Sequence, residues 1–326
     1  MLTFDDSLAL LPPNTLPVVL LGNGFSQAWS PEIFNYSSLL QVANFEDREI
    51  QIRELFDRQN TWDFEAVMRT LLAAEMVAEV HGLDQPIIER IKEEQEVLKR
   101  ALLTAVSVTH PRIPNELTKA QYQAVRKFLS RFSQIFTVNY DLLMYWARNQ
   151  ELEPAWNTDD GFRAERKWRG HGTEQIIHFL HGGLHLYEVP AGVRKHAYTG
   201  EIGGGIVDQV RANLEMQPPR FPLFVAEPTH KKKKQRIDRS PYLSFCLRKL
   251  EVSEAPIFIF GHSMDANDMH IFESIRGSGA QQIFVSVFGD EYSEANSQLK
   301  ANAMAFLSAA GKQVSFFDAS TAAVWV

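Results

Sequence analysis

The sequence predicts an α/β protein with a doubly wound, mostly parallel sheet and a helical insertion. Three observations predict it: apolar runs without alternation, helical spacing between several of them, and one long helical interval. The runs are Val18-Val19-Leu20-Leu21, Ile135-Phe136-Thr137-Val138, Ile176-Ile177-His178-Phe179-Leu180, Leu223-Phe224-Val225, Ile257-Phe258-Ile259-Phe260, Ile283-Phe284-Val285-Ser286-Val287 and Val314-Ser315-Phe316-Phe317. Strands that alternate apolar and polar residues expose one face. Runs with little alternation suit strands covered on both faces, as in a parallel sheet. Helical segments between such strands give the βαβ pattern.

The interval 34–131 reads as a helical insertion. Phe64, Val67, Met68, Leu71 and Leu72 follow i, i+3, i+4, i+7, i+8 spacing, which places them on one helix face. Ile87, Ile91, Leu98 and Leu102 continue the pattern, and Val125, Phe128, Leu129 and Phe132 close it before the second strand. The segment 156–215, richer in glycine and polar residues, predicts a loop-rich small lobe over the sheet. The chain reads as one domain, 1–326, with the insertion inside it.

Composition narrows the function. The net charge of −7 argues against a basic nucleic-acid surface. Cys246 is the only cysteine, so no internal disulfide and no four-thiolate zinc module can form. A reducing, cytoplasmic setting follows as the expectation. Asp5 and Asp6 stand where a signal peptide would be basic, and the run Leu16–Leu21 is too short for a signal core or a membrane span.

Polar segments follow four of the predicted strands. Gly22-Asn23-Gly24-Phe25-Ser26 follows the first, Asn139-Tyr140-Asp141 the second, His181-Gly182-Gly183 the third and Gly261-His262-Ser263 the run 257–260. Ligands of open parallel sheets bind outside the carboxyl ends of the strands. Gly22-x-Gly24 is a candidate phosphate turn, because glycine permits tight turns and close backbone approach. Gln27 stands where a dinucleotide fingerprint has its third glycine, so a plain strand-to-helix turn remains open. Asn139 and Asp141 fit helix capping as well as ligand contact.

These four segments, in this order, resemble the sirtuin-like superfamily. They are most similar to its divergent bacterial branch, which includes NAD-hydrolysing effectors of anti-phage defence. The resemblance implies a Rossmann-like core and NAD⁺ as substrate. By position it assigns Gly22, Asn23, Gly24, Phe25 and Ser26 to the pyrophosphate turn. Asn139 and Asp141 would position the nicotinamide ribose and the attacking water, His181 would be the general base, and Gly261 and Ser263 would contact the adenosine half. It also implies a homo-oligomer gated by assembly, by a partner ATPase or by a ligand, since unrestrained NAD⁺ loss would poison the cell. Protein-deacetylating sirtuins carry a four-cysteine zinc module. This chain cannot build one, so no zinc is expected and acyl-lysine substrates are disfavoured. Residue chemistry agrees with glycosidic cleavage: nicotinamide departs neutral, and an imidazole with an ordinary pKa of about 6.5 can take a proton from water.

Other readings stay open. Gly261-His262-Ser263-Met264-Asp265 resembles a hydrolase nucleophile elbow, but only His270 follows it in sequence, too near to complete a triad. His178, His181 and His185 could suggest a metal cluster, yet strand residues three apart face opposite ways. The run His230-Lys231-Lys232-Lys233-Lys234 reads as a solvated loop, or as cover for a cofactor phosphate or an acidic partner. Trp62-Asp63-Phe64-Glu65 reads as helix-start packing or as a pocket wall. A non-catalytic NAD or ADP-ribose sensor and an ADP-ribosyltransferase or deacylase are the functional alternatives.

Overall fold

A computed structural model describes residues 1–153, 155–156, 158–170, 172–199 and 204–326. Six strands form one sheet: β1 (Val18–Leu21), β2 (Gln134–Thr137), β3 (Ile177–Phe179), β4 (Ile257–Phe260), β5 (Gln282–Val287) and β6 (Gln313–Asp318). Their spatial order is β6-β5-β4-β1-β2-β3, and every pairing is parallel. This is the strand order of the doubly wound dinucleotide-binding fold. Strand order reverses between β1 and β4, the position at which sheets of this order place their ligands, outside the carboxyl ends of the strands.

Burial accounts for the missing alternation. All four residues of β1 and all four of β4 are buried. Helices flank the sheet, and phenylalanine fills much of the space between. Phe258 stacks on Phe284 at 4.6 Å, and Phe128 of the helix Lys119–Leu129 meets Phe260 at 5.3 Å. That helix shares the sheet's core through Tyr122, Val125, Phe128 and Leu129. It therefore packs as part of the sheet's flank, although the helical pattern of the insertion runs into it.

The rest of the insertion has its own core. The helices Glu49–Arg58, Phe64–Val80 and Gln85–Thr109 bury Ile52, Phe56, Phe64, Val67, Met68, Leu71, Leu98 and Leu102 together. Phe56 and Phe64 meet edge to face at 5.1 Å. The small lobe contains an antiparallel hairpin, Leu186–Val189 with Gly192–Lys195, and the helix Ile206–Leu214. Arg211 of that helix donates to the carbonyl of Ser107 at 2.7 Å, which ties the lobe to the insertion.

Two expectations change. Leu223–Phe224 is not a strand of the central sheet but pairs antiparallel with Gly182–Gly183. Pro222, immediately before it, lacks the N–H that a central strand must donate. The basic run is not a loop, since His230–Arg239 is a helix capped by Thr229. Among the described residues no helix is long and apolar enough to cross a membrane.

Candidate functional site

The carboxyl ends of β1, β2, β3 and β4 meet through direct bonds. Gly22 donates to the carbonyl of Phe260, and Gly24 donates to that of Gly261 at 2.8 Å. Asn139 Nδ2 donates to the carbonyl of Gly22 and to Ser26 Oγ, both at 3.0 Å. Tyr140 lies roughly parallel to the ring of His181, with centroids 6.4 Å apart. All four sequence-predicted segments are thus assembled at one edge, around the strand-order reversal.

The glycines have a concrete reason. A Cβ on Gly24 would lie 2.6 Å from Gly261 Cα, and one on Gly22 would lie 2.6 Å from the Gly261 carbonyl oxygen. Gly261 also has φ of +67°, a conformation costly for other residues. The two turns are glycine-bearing because their backbones pack on each other. Within the β1 turn, the amides of Gly24, Phe25 and Ser26 already donate to Gly261, Gly22 and Asn23. The turn is therefore not an open cradle of amides for pyrophosphate.

Several predicted contacts are structural. Phe25 is buried against Trp325 at 5.2 Å, and its carbonyl accepts from Trp325 Nε1 at 2.8 Å, so its ring serves the core. Ser26 is fully buried and donates to Asp141 Oδ2 at 2.5 Å. Asp141 Oδ1 accepts from the Leu143 amide at 2.8 Å. Both oxygens of Asp141 are engaged, and burial raises its pKa above the ordinary carboxyl range. Asp141 is a latch between the β1 and β2 turns rather than a group offered to water. Asn23 and Ser263 are exposed, and Asn23 Nδ2 donates to the carbonyl of Phe34 at 2.9 Å. Asn139 keeps its Oδ1 free of protein partners among the described residues.

His181 sits in a buried polar network. Its Nε2 lies 3.0 Å from Nε2 of His270 and 3.8 Å from Asp268 Oδ1. Its Nδ1 is bonded by no described residue and is not sealed from solvent. Asp268 Oδ2 lies 3.2 Å from His262 Nε2, and Asp268 Oδ1 accepts from Lys233 Nζ at 2.8 Å. Lys233 Nζ also donates to Glu65 at 3.0 Å. Burial depresses the pKa of His181 well below the ordinary imidazole value, and the attraction of Asp268 does not offset it. Burial opposes the charge of Asp268, but Lys233 and His262 hold its carboxyl well below the usual range. Glu65 goes the other way: burial, reinforced by Asp268, raises it to about 7 against the pull of Lys233. Two carboxylates share one ammonium, and Asp268 holds it more strongly.

Sequence reasoning missed Asp268, and it named Glu65, Lys233 and His270 only within a possible pocket wall, a possible phosphate cover and an incomplete hydrolase triad. One signal was available for Lys233: Ile237 lies four residues on, hence on the same helical face, and both are buried. Glu65 belonged to the Trp62-Asp63-Phe64-Glu65 segment, in which Asp63 caps the helix and Phe64 joins the insertion's core. The predicted separation of the three histidines appears in their contacts. His178 stacks on Phe136 at 4.8 Å, while His185 lies between Tyr145 and Phe179, 4.5 Å from each.

A different trio, His181, Asp268 and His270, brings ligand atoms within 4.8 Å of one another, near enough to hold a metal ion. Lys233 already supplies a cation to Asp268, and His270 Nδ1 has no acceptor among the described residues. Metal-bound histidines normally donate their second nitrogen to such an acceptor, so this donor set fits a metal poorly. An open cavity of about 760 Å³, with Arg148, Trp156 and Glu174 in its wall, includes Ile176 at the start of β3. It thus lies at the amino ends of the strands, away from this chemistry.

No curated protein matches the chain. Over residues 19–325 it matches the profile of a domain of unknown function, DUF4917, and the chain belongs to that family.

Proposed function

We propose that this protein hydrolyses NAD⁺ to nicotinamide and ADP-ribose at the carboxyl edge of β1, β2, β3 and β4. The observation that carries the reading is His181: a neutral imidazole with a free Nδ1, at the carboxyl end of the edge strand β3 of a dinucleotide-type sheet and in contact with His270 from the helix after β4. The resemblance of the four turn segments to sirtuin-like proteins supplies the substrate. Asn139, with Oδ1 free and Nδ2 anchored, suits a ribose hydroxyl or the attacking water.

In this mechanism the C–N bond to nicotinamide breaks and its electron pair returns to the ring nitrogen, which leaves neutral. The ribose acquires oxocarbenium character. Water attacks the anomeric carbon as its proton moves to His181 Nδ1. The resulting imidazolium lies 3.8 Å from Asp268 Oδ1. At an effective dielectric constant of about 20 that separation is worth about 4 kcal/mol, before the opposing field of Lys233. Asp268 thus offsets part of the burial that keeps His181 neutral at rest, and its pull acts only once the ring takes a proton.

The insertion gives the activity a place to be gated, because Glu65 reaches the network from the helix Phe64–Val80. This fits a cytoplasmic, homo-oligomeric effector of antiviral defence, released by assembly, a partner ATPase or a ligand. The test is incubation of the purified chain with NAD⁺, with and without such activators, and chromatography of the products. Equal release of nicotinamide and ADP-ribose supports the reading. Tight binding without turnover replaces it with a sensor, and ADP-ribose attached to a macromolecule replaces it with a transferase.

A further inference from the structure

We propose that His270 is a positioning residue that, with Asp268, fixes the tautomer of His181 so that Nδ1 is its basic nitrogen. The inference rests on the hydrolytic reading above for its kinetic consequence, but the tautomer is a property of the resting protein.

The two Nε2 atoms face each other at 3.0 Å, and the rings are nearly parallel with centroids 5.2 Å apart. A neutral imidazole carries one N–H, so one of these nitrogens donates and the other accepts. Asp268 decides between them. Its Oδ1 lies 3.8 Å from His181 Nε2. A lone pair on that nitrogen would face the carboxylate, whereas an N–H there points its positive end toward it. The proton of His181 therefore belongs on Nε2, donated to His270, and the lone pair belongs on Nδ1. His270 carries its own proton on Nδ1.

The charged and titratable groups around the pair come from several elements, and among them Asp268 alone attracts positive charge to His181. Asp268 and His262 come from the β4 turn, Lys233 and His230 from the helix His230–Arg239, Glu65 from the insertion and Tyr140 from the β2 turn. Met264 donates its amide to His262 Nδ1 at 2.9 Å, so the proton of His262 lies on Nε2, facing Asp268. Asp268 thus receives Nε2–H of His262 and the ammonium of Lys233, and remains an ionised carboxylate beside His181. His270 is 1% exposed and is held in the helix Met269–Gly277, so substrate does not touch it. Its part is to give His181 Nε2–H a fixed acceptor.

The test is imidazole nitrogen NMR of histidine-labelled protein, paired with steady-state kinetics on NAD⁺. In the wild type, His181 should be protonated at Nε2 and bare at Nδ1. His270→Phe removes the acceptor while filling the space. It should mix the two tautomers and lower kcat by on the order of tenfold to hundredfold, with KM unchanged. His270→Gln places an amide near the lost Nε2 and should recover most of both readouts. Three results overturn the proposal: a resting His181 protonated at Nδ1, a folded His270→Phe with wild-type tautomer and kcat, or a stoichiometric divalent metal between the two imidazoles. If His270→Phe does not fold, the wild-type spectrum and His270→Gln still decide. If the wild type never cleaves NAD⁺, the functional reading fails, and the spectrum still judges the tautomer.

Discussion

Glu65→Gln isolates the charge that the insertion brings to the sheet edge. Glu65 pairs with Lys233 at 3.0 Å, its side chain is 15% exposed, and burial raises its pKa from 4.5 to about 7. Below pH 4.5 the carboxyl is protonated in both the folded and the unfolded chain, and its contribution to stability is fully present. As pH rises toward 7 the folded chain keeps a proton that the unfolded chain has lost, so this contribution falls. The gap between 4.5 and about 7 corresponds to about 3 kcal/mol. Glutamine is isosteric and does not titrate. The stability of the variant relative to wild type should therefore improve by up to about 3 kcal/mol between about pH 4 and about pH 8. Asp268 and Lys233 are present in both proteins, so their own titrations largely cancel in the difference. Urea unfolding of both proteins across that range measures it. A difference that stays flat with pH, or that grows in favour of wild type, refutes the account of two carboxylates sharing one ammonium.

Lys233→Met leaves Glu65 and Asp268 without their buried cation and should cost roughly 3–5 kcal/mol at neutral pH by urea unfolding. Gly24→Ala places a Cβ 2.6 Å from Gly261 Cα, so it should destabilise the fold whether or not NAD⁺ is present, and a wild-type melting temperature would contradict the packing explanation. Ser26→Ala removes a hydroxyl that donates to a buried carboxylate, and should cost about 1.5–3 kcal/mol in chemical unfolding.

The sheet was legible because β1 and β4 are buried on both faces and so carry no polar residues to blur them. Leu223–Phe224 carried the same apolar signature, but the proline before it prevents central pairing, and that neighbour outweighs the composition. At the site, residues on turns directly after strands could be placed from sequence, because topology alone brings those turns together. What each side chain does there could not. Phe25 reads as part of a ligand turn, yet its partner Trp325 lies 300 residues away in the chain. Asp141 has the right type and place for catalysis, yet Ser26 and the Leu143 amide occupy both its oxygens. Glu65 and Lys233 are separated by 168 residues and sit in segments that read as helix-start packing or a pocket wall, and as a solvated loop or cover for a cofactor phosphate or an acidic partner. Their pairing follows from how the insertion docks, which no local pattern encodes. His270 was visible only as a histidine too close to the β4 turn to complete a hydrolase triad. The same closeness lets a helix leaving that turn carry it to His181.

The central claim is that His181 takes a proton from water as NAD⁺ is cleaved. The most direct measurement is nicotinamide release by wild type and by His181→Gln, under conditions that activate the wild type, with folding of both checked by circular dichroism. The account predicts equal binding of NAD⁺ and a loss of roughly a hundredfold or more in kcat for the variant. Turnover by His181→Gln at the wild-type rate would contradict it.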